Sequence, residues 1–336
     1  MPRVIALDPQ RPARSAIAEA AQLLREGGLV AFPTETVYGL GARATSARAV
    51  GRVFEVKGRP ASHPLILHVE GEDQARALAS RWPERASRLA AAFWPGPLTL
   101  VLERAAHVSP LVSGGGDSIA VRAPAHAVAR ALVAALGDAV AAPSANRYQG
   151  LSPTTAAHVV SQLGDAMDLV LDGGPCDAGI ESTVVDVRGE HPLVLRPGAL
   201  GMAALRAVAP DVETRVDVAG RQDARPSPGM DRRHYSPRAR LLVAPTGEDA
   251  CRMAYALLSG GGRVGLVFHD AAPPLPEARL IVRCLPADPA LYARSFYATL
   301  HGLDAAGVEA IVVQQVPPGE AWWAVADRLR RGAAPA

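Results

Sequence analysis

The sequence predicts an α/β protein built as two domains, the second a small parallel Rossmann-like unit. Three observations carry this. Short buried apolar runs alternate with amphipathic helical segments along most of the chain. The length of 336 residues exceeds the roughly 100–200 residues of an ordinary domain. Between residues 209 and 239 the alternation dissolves into a stretch rich in proline, arginine and aspartate, then resumes. The expected division is therefore a catalytic-sized domain at 10–208, a linker at 209–239 and a small α/β domain at 240–334.

Residues 14–26 read as a helix with Ile17, Ala20, Ala21 and Leu24 on one face, stopped by Gly27 and Gly28. Residues 29–32 form a short buried strand. Pro33 to Gly41 reads as a loop leaving it, whose hydroxyls, carboxylate and glycines suit either a backbone-held ligand or a capped turn. Residues 47–57 form a second helix with Val50, Val53 and Phe54 inward. Gly58 ends that helix and Pro60 stops it resuming, so Lys57 and Arg59 sit on a rigid turn. A strand at 65–69 follows, flanked by His63 and His68.

Beyond two helical segments, Trp94-Pro95-Gly96-Pro97 turns into a strand at 98–102. Gly114-Gly115-Gly116 precedes a strand at 119–121, with Arg122 at its end. A helix at 125–136 and a small strand at 139–142 lead to Pro143-Ser144-Ala145-Asn146, and Ser152-Pro153-Thr154 opens the next helix. Strands at 169–171, 183–187 and 194–196 complete this part, with Arg196 a further candidate ligand for phosphate or carboxylate. Ligands of open α/β sheets collect beyond the carboxyl ends of strands. Thr34, Arg122 and Ser144 all lie just past such ends, which argues for one shared cleft.

In the last part, strands at 241–244, 263–268 and 310–313 alternate with helices, including 290–303 and one reaching Arg331. No G-x-G-x-x-G follows the first of these strands, so no dinucleotide site is expected there. The linker before them carries Pro228-Gly229-Met230 and Arg233-His234-Tyr235-Ser236-Pro237, dense enough to read either as spacer or as a segment folded over the cleft.

Composition adds two singletons. Lys57 is the only lysine among 35 basic Lys and Arg residues, and Asn146 is the only asparagine. In a chain that uses arginine almost everywhere, a retained lysine marks a need for a compact ammonium. No apolar run reaches the roughly 18–20 residues of a membrane span, and Met1 to Leu7 shows no long apolar run and no signal cleavage site, so no leader is expected. Cys176, Cys251 and Cys284 are far apart, which fits reduced thiols in a cytosolic protein without structural zinc. Acidic and histidine residues lack metal-ligand spacing. A net charge of +2 and 4% aromatic residues do not describe a nucleic-acid stripe.

Phe32 to Leu40, Lys57-Gly58-Arg59-Pro60, Pro95 to Thr99, Val121-Arg122-Ala123-Pro124, Ser144-Ala145-Asn146 and Glu181-Ser182-Thr183 together resemble the YrdC-like threonylcarbamoyl-AMP synthases, in their longer two-domain form. The K-x-R and S-x-N pair of that family falls here on the sole lysine and the sole asparagine. The resemblance covers residues 28–198 closely. It implies a twisted, open, mixed N-terminal sheet with helices. It implies that ATP, L-threonine and bicarbonate or carbon dioxide become threonylcarbamoyl-AMP and pyrophosphate. A downstream threonylcarbamoyl transferase complex would then modify tRNA, so that tRNA is an indirect partner. Mg²⁺ would ride on the ATP phosphates, with no protein metal site.

The same resemblance implies roles. Lys57, Arg59, Ser144 and Asn146 would be catalytic. His63, Ser118, Ser152, Arg196 and Tyr235 would join those four in holding ATP. Thr34, Thr36, Tyr38, His68, Arg122, Ala142 and Ser182 would form the threonine pocket, Arg122 clamping its carboxylate. Tyr235 would belong to a lid that excludes water from labile intermediates. The free amine would arise by pH equilibrium or with help from Glu35. Two other readings stand beside this one: a carbamoyltransferase module, which would bring zinc fingers whose cysteine clusters this chain lacks, and a non-catalytic RNA-binding module.

Overall fold

A computed structural model describes residues 2–214, 233–269, 271, 273 and 277–335. The Pro228-Gly229-Met230 motif lies outside the described residues. The N-terminal part runs β1 (Arg3–Ala6), α1 (Arg14–Arg25), β2 (Val30–Phe32), β3 (Gly39–Arg43), α2 (Ala47–Lys57), β4 (Ile66–His68), α3 (Glu72–Leu78), α4 (Glu84–Phe93) and β5 (Leu98–Glu103). It continues through β6 (Ser118–Arg122), α5 (Ala127–Leu136), β7 (Val140–Ala141), α6 (Ala156–Leu163), β8 (Leu169–Asp172), β9 (Thr183–Asp186), β10 (Leu193–Arg196), α7 (Met202–Val208) and β11 (Glu213–Thr214). Its strands form one mixed sheet in the order β1-β8-β2-β3-β7-β4-β6-β5-β9-β10-β11. Parallel pairs such as β4 with β6 alternate with antiparallel ones such as β5 with β6.

The sheet is buried on both faces, which explains why its strands read as short continuous apolar runs. On one face α1 and α5 pack Ile17, Leu24, Leu132 and Val133 against Val30, Phe32 and Leu171. The other face holds a larger core that includes Val50, Val53 and Phe54 of α2 and Leu89 of α4. The helix α2 begins on Ser46, whose side chain accepts from Ala49 N, and closes on Gly58 in the left-handed region at φ 63°.

The hydrogen-bonded elements differ from the sequence reading in one place that matters. The stretch expected to be a loop up to Gly41 contains the start of β3, antiparallel to β2 with Phe32 opposite Gly39. Its glycines serve close packing: a Cβ on Gly41 would stand 2.8 Å from the Phe32 ring and 2.9 Å from Val140. The edge strand β1 and the helix α7 carried too little apolar periodicity to be read.

The C-terminal part runs β12 (Arg240–Ala244), α8 (Gly247–Leu258), β13 (Val264–His269), β14 (Leu280–Leu285), α9 (Pro289–Ala305), β15 (Ala310–Gln314) and α10 (Trp323–Gly332). Its four strands are all parallel, in the order β12-β15-β13-β14. One core runs between the two parts: Val37, Leu151 and Ile180 of the first pack with Tyr292, Phe296, Tyr297 and Val325 of the second.

Candidate active site

A cavity of about 50 Å³ opens where the loops after β2, β4, β6, β7 and the one before β9 meet. Backbone pairing brings these loops together. Leu40 N donates to Pro143 O, Ala145 N to Tyr38 O, and Gly39 bridges to Ser144. The β2–β3 turn is organised by Thr34, whose hydroxyl donates to Val37 O at 2.7 Å and lies 2.9 Å from the Thr36 hydroxyl.

Arg122 is held on three sides. Its Nε donates to Gly96 O at 3.1 Å, its Nη1 to Thr36 Oγ1 at 2.8 Å, and its Nη2 lies 2.7 Å from Glu35 Oε1. Burial pushes the Glu35 carboxyl up, but the Arg122 charge and its hydrogen bonds outweigh it and hold the group below its ordinary value. The other Glu35 oxygen accepts from Ala125 N at 3.0 Å. His68 is pushed down to about 3, by burial first and by Arg122 second, so the imidazole is neutral at ordinary pH.

Two further guanidinium groups line the cavity. Arg196 donates from Nη2 to Ser182 O at 2.8 Å and to Ser182 Oγ at 3.2 Å, while that hydroxyl lies 2.7 Å from Thr99 Oγ1. Arg59 donates to Pro64 O at 3.1 Å. Ala142 and Ser144 complete this wall with Tyr38. The Tyr38 hydroxyl is engaged elsewhere, donating to Gly174 O at 2.7 Å and to Asp172 at 3.2 Å, so the cavity meets the rest of its side chain.

Lys57 does not line the cavity. It is buried, and its Nζ donates to the carbonyls of Ser144 and Asn146 and, at 3.4 Å, to Asn146 Oδ1. Burial, then the neighbouring Arg59 charge, lowers its pKa well below the usual lysine value. Asn146 Nδ2 in turn donates to Arg147 O and Gly150 O. The two singletons therefore clamp one loop. His63, Ser118 and Ser152 also lie outside the cavity wall. The His63 ring packs edge-on to Tyr148 at 5.5 Å, and Ser118 begins β6 at the end remote from Arg122.

The last part of the linker lines the cavity. His234 and Tyr235 are both in its wall and both buried. Ser236 N donates to Gln149 O at 2.9 Å, and Ser236 bridges to Gly150. Gln149 and Tyr235, the two non-glycine residues with positive φ among those described, face each other across this bridge at 66° and 62°.

One residue of the site went unread in the sequence. Glu181 lies in a quoted motif, yet its role is visible only in three dimensions. It accepts from Ser152, from the Tyr297 hydroxyl at 3.0 and 3.1 Å, and from Arg328 Nε at 2.8 Å. Burial raises its pKa, but Arg328 and then Arg196 outweigh that and keep it ionised. Among the described residues no cluster of His, Cys, Asp and Glu could hold a metal ion, and no helix is long and apolar enough to cross a membrane.

Comparison with known proteins matches residues 22–198 to the Sua5–YciO–YrdC family model, described as "Telomere recombination". Residues 201–334 match the threonylcarbamoyl-AMP synthase C-terminal domain. The chain is 39% identical to the threonylcarbamoyl-AMP synthase of Pyrococcus abyssi, over 93% of this chain and 92% of that one. It is 36% identical to the Bacillus subtilis threonylcarbamoyl-AMP synthase, over 97% and 93%. The crystal structure of P. abyssi Sua5 complexed with L-threonine superposes with a TM-score of 0.91 at 38% identity, covering 98% of this chain and 97% of that one.

Proposed function

The chain belongs to the threonylcarbamoyl-AMP synthase family, and from that premise we propose that the cavity walled by Arg59, Arg122, Arg196 and Tyr235 is its active site. The protein is an enzyme, an L-threonylcarbamoyladenylate synthase of tRNA modification, with L-threonine and ATP as substrates. The observation that carries the site assignment is convergence. Three guanidinium groups and the hydroxyls of Thr34, Thr36 and Ser182 come from five separate loops and strand ends to one space.

On this reading Arg122 takes the threonine carboxylate with the edge of its fork that Gly96, Thr36 and Glu35 leave over. His68, being neutral, adds no like charge beside it. Glu35 is a weak base because Arg122 holds its carboxylate ionised, which favours release of the threonine ammonium proton to solvent over transfer to Glu35. The amine forms a bond to carbon dioxide with loss of a proton, or to bicarbonate with a C–O bond breaking and water leaving. One oxygen of the resulting N-carboxylate forms a bond to the α-phosphorus of ATP as the bond to pyrophosphate breaks. Arg59 and Arg196 take up the charge that develops on both sides.

Mg²⁺ fits as a companion of the phosphates. Among the described residues Glu181 is the one carboxylate in the cavity wall, and Ser152, Tyr297 and Arg328 already engage it. Lys57 and Asn146 act through the 144–150 loop, and His63, Ser118 and Ser152 reach the nucleotide once the cavity opens. Small-molecule pockets usually enclose about 300–1,000 Å³, so a cavity of about 50 Å³ must widen to take both substrates. The product passes to a separate transferase in the cytosol, where tRNA is modified.

Purified protein with ATP, Mg²⁺, L-threonine and bicarbonate tests the assignment. Pyrophosphate and threonylcarbamoyl-AMP should appear only when every component is present. Equal turnover without threonine, or turnover of carbamoyl phosphate instead, overturns it.

A further inference from the structure

The C-terminal domain sets one side chain directly behind this site. Arg328, on α10, is the largest fully buried side chain among the described residues. Its Nε donates to Glu181, and its Nη1 donates to Pro197 O at 3.0 Å and to Asp327 Oδ2 at 2.9 Å. Asp327 is also bound by Arg331 of the same helix. The Nη2 of Arg328 is buried and has no hydrogen-bond acceptor among the described residues. Its guanidinium instead stacks on the Tyr235 ring, with Cζ 4.8 Å from the centroid.

Tyr235 needs such a holder. It is a bulky aromatic residue in the left-handed region, its buried hydroxyl has no hydrogen-bond partner among the described residues, and it forms part of the cavity wall. Two contacts with α10 fasten the same segment: His234 N donates to Arg331 O at 3.3 Å and Ser236 Oγ to Gly332 O at 3.2 Å. Glu181, the other end of the Arg328 clamp, is bonded through the chain to Ser182, which Arg196 grips. One guanidinium thus spans the segment that closes the cavity and the strand-entry residue that shapes its floor.

We propose that Arg328 is a positioning residue of the active site supplied by the C-terminal domain: it pins Glu181 beneath the threonine pocket and clamps Tyr235 over it, so that the site closes only against a docked C-terminal domain. The chemical consequence rests on the assignment of the cavity as the synthase site. A clamp that fails lets water reach the mixed anhydride. Water then adds to the carbamoyl carbon, AMP departs, and the N-carboxythreonine left behind loses carbon dioxide.

Arg328→Gln alone strands a buried carboxylate, so the informative variants are Glu181→Gln/Arg328→Gln, which removes both charges, and Tyr235→Leu, which keeps the ion pair. Hydrogen exchange of residues 233–239 reads the clamp without any turnover. Both variants should speed exchange there by about tenfold or more, as loss of a buried cation–π contact implies, with α2 and β6 unchanged. The yield of threonylcarbamoyl-AMP per pyrophosphate should fall several-fold in both variants, with AMP and free threonine taking its place. A merely structural role would instead speed exchange throughout and leave that yield alone. Unchanged exchange at 233–239, or an unchanged yield in the folded double variant, overturns the proposal. If the unaltered protein makes no threonylcarbamoyl-AMP, the synthase site falls, and exchange still decides the clamp.

Discussion

Replacing Lys57 by methionine removes the ammonium and keeps most of the side-chain volume. The carbonyls of Ser144 and Asn146 then lose a charged donor in a buried setting. A buried acceptor stripped of its partner costs about 1–3 kcal/mol. Part of that returns, because the ammonium is itself desolvated and held below its ordinary pKa. With two such acceptors the gross cost is about 2–6 kcal/mol and the net loss about 2–4 kcal/mol, which for a unit of this size lowers Tm by roughly 5–15 °C. Thermal unfolding measured beside pyrophosphate release is the assay. The loop also carries Gln149 and Gly150, on which Ser236 rests, so activity should fall together with Tm. Lys57→Arg restores charge but not the compact shape, and should not rescue either quantity. An inactive Lys57→Met protein whose Tm stays within about 2 °C of the parent would refute this reasoning and return Nζ to the phosphates.

Three other outcomes follow from the described contacts. Arg122→Lys keeps one cation but cannot serve Gly96 O, Thr36 and a substrate carboxylate at once, so the KM for threonine should rise about 10–100-fold, the worth of a charge-assisted pair, with little change in that for ATP. Gly198→Ala would put a Cβ 2.3 Å from the Ser182 carbonyl carbon and 2.4 Å from Glu181 O. That overpacking should cost about 2–3 kcal/mol, read by urea denaturation, and weaken threonine binding. His158 and His301 stack across the domain junction at 3.9 Å, and burial lowers each to about 4. Unfolded imidazoles take up protons below about pH 6.5, whereas the folded pair does so only near 4. Stability should therefore be lost as pH falls through that window, and His301→Leu should flatten the loss in pH-dependent thermal melts.

Much of the candidate site was legible because its residues sit at punctuation. The predicted end of α2 coincides with the observed one, since Gly58 in a left-handed cap leaves little choice, and that placed Lys57 and Arg59 correctly on the turn. Arg122 and Ser144 were found by strand-end position, and the observed β6 ends on Arg122. What the pattern could not convey was direction. A lysine on a turn next to a cleft reads the same whether its ammonium faces the cleft or the loop behind it. The start of β3 was hidden because Gly39 and Gly41, read as loop residues, are there to let Phe32 and Ala142 approach. Arg328 gave no signal at all. It lies in Asp327-Arg328-Leu329-Arg330-Arg331, which looks like the solvated end of a helix, and its partner Glu181 is 147 residues away.

The single lysine has a practical corollary. Apart from the chain terminus, Lys57 is the only primary amine in the sequence, and the fold seals it at 3% exposure. An amine with a depressed pKa acylates readily at neutral pH once it is reached. Amine-reactive esters should therefore pass over the closed protein and mark Lys57 only when the 144–150 loop lifts. The extent of modification at one tryptic site would count those openings, with no engineered probe.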